Sequence, residues 1–210
     1  MAASSPRDVF INCPFDDDFA PGFRALVFAV LACGFRARCA REMDDASETR
    51  IDKLYGIIEQ SRFGIHDLSR TELDAENSLP RFNMPLELGL FLGAKRFGDD
   101  AQRKKRALVL DVEPRRYAKF ISDLAGMDVT PHGGDARRMV ECTRTWLVTV
   151  SKRKRIPSPV QLMGSHDRFQ TGLPAIAHAA GLEATTLAYP DYERLVLGWV
   201  KAERLAGRLP

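Results

Sequence analysis

Short apolar runs alternate with helix-periodic segments along this chain, and that alternation restricts what it can fold into more than any other feature. Asp8-Val-Phe-Ile-Asn-Cys reads as a buried strand, and Phe23, Leu26, Val27, Val30 and Leu31 then repeat at helical spacing. Gly34 stands where a helix-ending glycine belongs, before a second strand, Phe35 to Ala40. A helix follows with Ser47 as its expected cap and Ile51, Leu54, Tyr55 and Ile58 as its inner face. Further strands are expected over Phe63 to Leu68 and Ala107 to Val112. The latter is uniformly apolar, as a strand covered on both faces should be. Helices are expected over Met84 to Lys95 and after Asp135, with a short one over Tyr117 to Leu124 and a weak edge strand at Val129. Strand and helix in alternation, joined by short connections, give a parallel sheet with helices on both sides.

The boundary falls at Ser151-Lys-Arg-Lys-Arg-Ile-Pro-Ser-Pro, a charged stretch carrying proline. The reading is an α/β domain over 1–150 and a C-terminal helical extension over 151–210, with helices at Leu173 to Ala180 and Tyr192 to Leu205. Ile176-Ala-His-Ala-Ala-Gly-Leu has the cast of a helix-turn-helix turn, but Pro190 falls where the second helix would run.

A net charge of +3, from 31 basic and 28 acidic residues, does not call for nucleic acid. The runs Arg103 to Arg106 and Lys152 to Arg155 read as solvated loop faces; nucleic-acid binding would need them on one surface. The longest apolar run, Ala25 to Cys33, is too short to span a bilayer, and Met1 to Arg7 lacks a signal-peptide core. A cytosolic location is expected, with no membrane partner. Cys13, Cys33, Cys39 and Cys142 have no metal-site spacing and read as buried thiols.

In such a sheet, ligands bind beyond the carboxyl ends of the strands. Asn12, Phe15, Asp67 and Ser69 all fall there, and Glu87 and Asn83 open the helix that follows. With Met84 as N-cap and Pro85 first in the helix, Glu87 takes the third position, from which a carboxylate reaches back to the cap amide. The alternative role for an ionised acid at this rim is to hold a ribose hydroxyl or to stabilise an oxocarbenium ion. Asp67 and Ser69 either cap their loop or bind phosphate and ribose oxygens. Phe15 either packs or stacks on a base; Asn83 either caps the helix or binds ligand. His66 points to the face of its strand opposite Asp67 and is read as a core or surface residue, not an acid or base.

Asp8-Val-Phe-Ile-Asn resembles the first strand of TIR domains, and Ile57-Ile-Glu-Gln-Ser-Arg-Phe-Gly-Ile-His-Asp-Leu-Ser is similar to their second helix and third strand. Glu87-Leu88 matches their Glu-Leu pair in order and spacing, while Asn12 replaces the usual serine and Phe82 to Pro85 replaces the familiar Trp-Cys. Glu87-Leu-Gly also resembles the segment of nucleoside 2-deoxyribosyltransferases, which share the flavodoxin-like core. The resemblance covers roughly residues 8 to 150. It implies a flavodoxin-like three-layer sandwich with a mainly parallel sheet of four to five strands, plus the helical appendage.

It further implies a catalytic Glu87 cleaving the nicotinamide–ribose bond, with Asn12, Phe15, Asp67, Ser69 and Asn83 as substrate-binding residues. NAD or a related nucleotide enters as substrate, with no metal and no separate cofactor. Homo-oligomers and a role in antiphage defence or stress signalling also follow from the resemblance. A nucleotide-sensing or assembly module without turnover remains an alternative, as does a transferase using Glu87 as covalent nucleophile.

Overall fold

The computed structural model describes residues 5–42, 47–73 and 78–210. Five strands, β1 (Ser5–Asn12), β2 (Arg36–Arg38), β3 (Ser61–Asp67), β4 (Arg106–Asp111) and β5 (Val129–Pro131), form one sheet. Their order is β2-β1-β3-β4-β5 and every pairing is parallel. This is the flavodoxin-like order, in which the chain reverses direction of travel across the sheet between β1 and β3. The helices are α1 (Ala20–Ala32), α2 (Arg50–Gln60), α3 (Asn83–Phe97), α4 (Ala136–Val150), α5 (Pro159–Ala179) and α6 (Tyr189–Leu205).

Alternation of side chains along the strands separates the two faces. Val9, Ile11, Phe63, Ile65, Leu108 and Leu110 face α1 and α4. On the other face Phe10 packs with Leu54, Ile57 and Ile58 of α2 and Phe91 of α3. Helix α1 is apolar all round, and it is buried all round: every residue from Ala25 to Ala32 is 3% exposed or less. Such a helix needs cover on its outer side as well. Helices α5 and α6 supply it, with Phe169 stacked on Phe28 at 5.4 Å between ring centroids. Leu162, Leu173, Val196 and Val200 join the same core.

Local signals explain most of the element ends. Gly34, with φ +79°, closes α1 by a Schellman motif: its N–H bonds Leu31 O at 2.9 Å and the Phe35 N–H bonds Val30 O at 3.1 Å. Asp135 caps α4 through the Arg137 N–H at 2.8 Å. Ser158 and Gln161 form a capping box that starts α5.

Several expectations are corrected. Thr49, not Ser47, caps α2, accepting from the Asp52 N–H. On α2 the inner residues are Leu54, Ile57 and Ile58, while Tyr55 is 49% exposed. The segment Tyr117 to Leu124 makes two 3-10 turns, 116–119 and 122–124, instead of one helix. Both C-terminal helices are longer than expected, since α5 begins at Pro159 and Pro190 sits in the first turn of α6, where a missing N–H costs nothing. Residues 43–46 of the loop after β2 and residues 74–77 of the loop after β3 lie outside the described residues.

All four cysteines are buried free thiols. Among the described residues, no helix is long and apolar enough to cross a membrane.

Candidate functional site

Because the strands are parallel, their carboxyl ends share one rim, and β1 and β3 lie side by side at its centre. Asn12 ends β1 and is 2% exposed. Its Nδ2 donates to Met84 O at 2.8 Å and lies 3.1 Å from His66 Nδ1. The end of β1 is thereby tied to the first turn of α3. His66, on the opposite strand face from Asp67, sits edge-on between Phe10 and Phe91. Burial, reinforced by Lys105, pushes its pKa down to about 3, so the ring is neutral and accepts from Asn12.

Helix α3 begins two residues earlier than the capping-box reading requires. Phe82 occupies the N-cap with no side-chain bond, Asn83 is the first helical residue and is exposed, and Pro85 comes third. Glu87 therefore stands fifth, too far along to reach the cap amide, and Asn83 makes no side-chain cap bond. The capping roles expected of Glu87 and Asn83 are both corrected by this register. Glu87 instead joins Met84, Leu88 and Phe91 on the buried face of the helix, at 5% exposure. Among the described residues, no donor or cation pairs with its carboxyl at hydrogen-bond or salt-bridge distance. Burial raises its pKa to about 7, opposed by Arg50 at the start of α2.

Asp67 ends β3 fully buried. It accepts from Ser69 N at 2.9 Å and from the Ser69 hydroxyl. Asp67 thus orders the loop it begins, which is the capping arm of the sequence reading. His132 Nε2 lies 3.0 Å from Asp67 Oδ2, out of line for a hydrogen bond. His132 Nδ1 accepts the Gly134 N–H at 3.0 Å, which fixes the ring beside Asp67.

One strand over, the buried Asp111 accepts from Arg116 Nε and Val112 N, both at 2.8 Å. Arg116 also donates to Thr71 Oγ1 and Leu68 O, each at 2.7 Å. Arg70 in turn reaches Asp16 and Asp18, both at 2.8 Å. The loops after β1, β3 and β4 are cross-linked by these two arginines, so the rim is held before any ligand arrives.

Phe15 packs edge-on against Phe23, at 5.2 Å. Arg41 lies 4.9 Å over its other side and donates to Phe15 O at 2.6 Å. Phe15 also lines a cavity of about 310 Å³ together with Arg24, Arg41, Thr186, Tyr189 and Tyr192. That cavity draws on α6 and on the segment before it. Cys13 connects the two halves of the rim: burial, then Asp67, Cys39 and Glu87, raise its pKa, and Arg41 opposes them. Glu87, Asp67 and Arg41 therefore all act electrostatically on one thiol. A larger cavity, about 630 Å³, lies under α4 and α5 against β4 and contains none of the expected site residues.

Residues that the sequence reading did not single out, Arg41, Arg70, Asp111, Arg116 and His132, complete the rim. Asp111 carried a signal, a lone acid closing an apolar strand, and so did His132-Gly-Gly after the edge strand. The arginines carried none, since their partners lie on other loops. Among the described residues no group of three or more His, Cys, Asp or Glu side chains is placed to hold a metal ion.

No family model, curated protein or solved structure matches this chain.

Proposed function

We propose that the rim binds a nucleotide and that Glu87 assists cleavage of its N-glycosidic bond, with NAD or a related nucleotide as substrate. The observation that carries this reading is the acid on an apolar helix face. A carboxyl held at 5% exposure beside Met84, Leu88 and Phe91, with no donor among the described residues, costs folding free energy that an apolar residue there would not. Costs of that kind are concentrated where chemistry needs them.

In the proposed reaction the ribose C1′–N bond breaks, and the electron pair leaves with neutral nicotinamide. The sugar carries the resulting positive charge, which the ionised Glu87 faces. Water then adds at C1′ and loses its proton to solvent. The cationic ring of bound NAD favours the ionised form of Glu87, so substrate binding itself prepares the carboxylate. No metal is required, because the leaving group is already positively charged. Asp67 holds the Ser69 loop in place, and Phe15 lines the adjoining cavity beside Arg41.

The test is incubation of the purified chain with NAD, nucleosides and nucleoside monophosphates, followed by chromatography, beside Glu87→Gln. Glu87→Gln keeps the shape and removes the charge, and a loss of about 100-fold or more in kcat is expected. Equal nicotinamide release by both proteins would sink the assignment. A covalent glycosyl adduct on Glu87 would instead indicate a transferase.

A second reading, a nucleotide-gated assembly module, is favoured by the exposed apolar side chains at and just before the start of α3. Leu79, Phe82 and Leu86 are each more than half exposed there. Saturable nucleotide binding with a change in oligomeric state and no product would support it.

A further inference from the structure

Parallel strands also bring their amino ends to a single edge, opposite the rim. Arg7, Arg36, Arg62 and Arg106 lie in the opening residues of β1 to β4. The register pairs Asp8 with Arg36, Val9 with Phe63 and Phe63 with Arg106, so the four arginines start near one line along this edge, with Arg106 on the Phe63 face of the sheet and Arg36 on the other. Adjacent strands are about 4.8 Å apart.

Helix α4 runs back to this same edge and delivers the basic run 152–155, while α6 delivers Arg204. A Cβ placed on Gly34 would meet Arg153 Nη2 at 2.6 Å and Arg204 Nη2 at 3.6 Å, so two guanidinium groups share the space that a side chain would fill. Burial, with Arg7 and Arg204 alongside, lowers the Arg153 pKa. Arg144, Arg153 and Arg204 all act electrostatically on the buried Cys33.

Most of these charges have no acidic partner among the described residues. Arg36 is paired with Asp8 at 3.8 Å. Arg7, Arg62, Arg106, Arg144, Arg153 and Arg204 have no Asp or Glu at salt-bridge distance among the described residues. Arg144 donates to Pro157 O at 2.9 Å; Arg204 reaches Pro210 O at 3.0 Å and Ala32 O at 3.4 Å. Arg153 lies 5.2 Å over Phe35 with its Nε buried and unpartnered. Nearby Glu203 is already held by Arg168 and Arg208. The carboxyl end of α1 attracts cations, but its dipole amounts to about half a charge and does not balance this group.

We propose that this edge binds the phosphate backbone of a nucleic acid. Guanidinium groups match phosphate oxygens in geometry as well as charge, and a row of them suits a repeating anion better than a single one. The rings beneath Arg153 and Arg62, Phe35 and Phe63, are buried, so these arginines present charge without an aromatic platform. Contact is with backbone and independent of sequence. The surface lies at the far end of the strands from Glu87 and does not depend on the glycosidase reading.

The experiment is fluorescence anisotropy with labelled duplex DNA, duplex RNA and single-stranded oligonucleotides of mixed sequence, between about 50 and about 200 mM salt. Binding with little sequence preference is expected, with a slope of log K against log salt on duplex DNA of about −4, for roughly four phosphate contacts. Replacing Arg7, Arg153 and Arg204 together by Gln should weaken binding at least about tenfold and flatten the slope by about 2 to 3. Lys152, Lys154 and Arg155 are exposed, and their joint replacement by Gln leaves the core untouched. It should weaken binding in the same direction, with an unchanged melting temperature. Absence of salt-dependent binding, or affinity unaffected by both variants, overturns the proposal. So does binding to vesicles containing phosphatidylserine with none to nucleic acid.

Discussion

The Asn12 side chain, at the end of β1, donates a 2.8 Å hydrogen bond to the backbone carbonyl of Met84, in the first turn of α3. These residues are 72 positions apart, and their contact sets the helix that carries Glu87 against the centre of the sheet. The same amide group faces the neutral His66 ring at 3.1 Å. Asn12→Ala removes the donor that ties the Met84 carbonyl and the His66 ring to β1. Destabilisation of about 2–3 kcal/mol is expected, read as a lower urea midpoint at constant m-value. An unchanged midpoint would mean that the clamp contributes nothing.

Glu87 gives the stability curve a specific shape. Its folded pKa of about 7 lies above the ordinary 4.5. The folded chain therefore holds a proton that the unfolded chain releases between those values. This contribution is fully present below about pH 4.5 and is lost as pH rises through 7. Glu87→Gln should thus gain on the parent as pH rises, by roughly 2–3 kcal/mol at about pH 8 and by little at about pH 4. Denaturant titrations of both proteins across this range measure it. Parallel stability curves would show that Glu87 does not titrate in this window.

Lys105 is fully buried, with Nζ between the carbonyls of Ile58 and Ser61 at the end of α2 and 4.8 Å from the Phe91 ring. Burial lowers its pKa to about 8. It closes the helix at its negative end. Lys105→Met fills similar volume but abandons two buried carbonyls, and a loss of about 2–4 kcal/mol is expected in thermal or urea unfolding. A neutral outcome would show that water replaces the ammonium.

Phe169 tests whether α5 belongs to the core. It is fully buried against Phe28, Tyr192 and Trp199. Phe169→Ala should cost about 3–5 kcal/mol, in one cooperative transition. A two-step transition, with the sheet's signal unmoved, would instead make residues 159–205 a separately folding unit.

What was legible in the sequence was local. Strands β1, β3 and β4, helices α1 to α4 and the Gly34 and Asp135 caps could be read because apolar periodicity and capping chemistry act over a few residues. The rim position of Asn12, Asp67, Ser69 and Glu87 followed from strand order, since a parallel sheet gathers all carboxyl ends together.

Tertiary packing decided the rest. It set the register of α3, where Asn12 holds Met84 and Glu87 turns inward instead of capping. It brought His132 beside Asp67 and tied Arg116 to Leu68 across separate loops. It showed why α1 is apolar on every side, because α5 and α6 return to cover it. The basic runs near 105 and 153 are far apart in sequence, and only the shared direction of the strands, with α4 antiparallel to them, brings both to one edge. Local chemistry specifies elements, but which charges become neighbours depends on the direction in which each element runs.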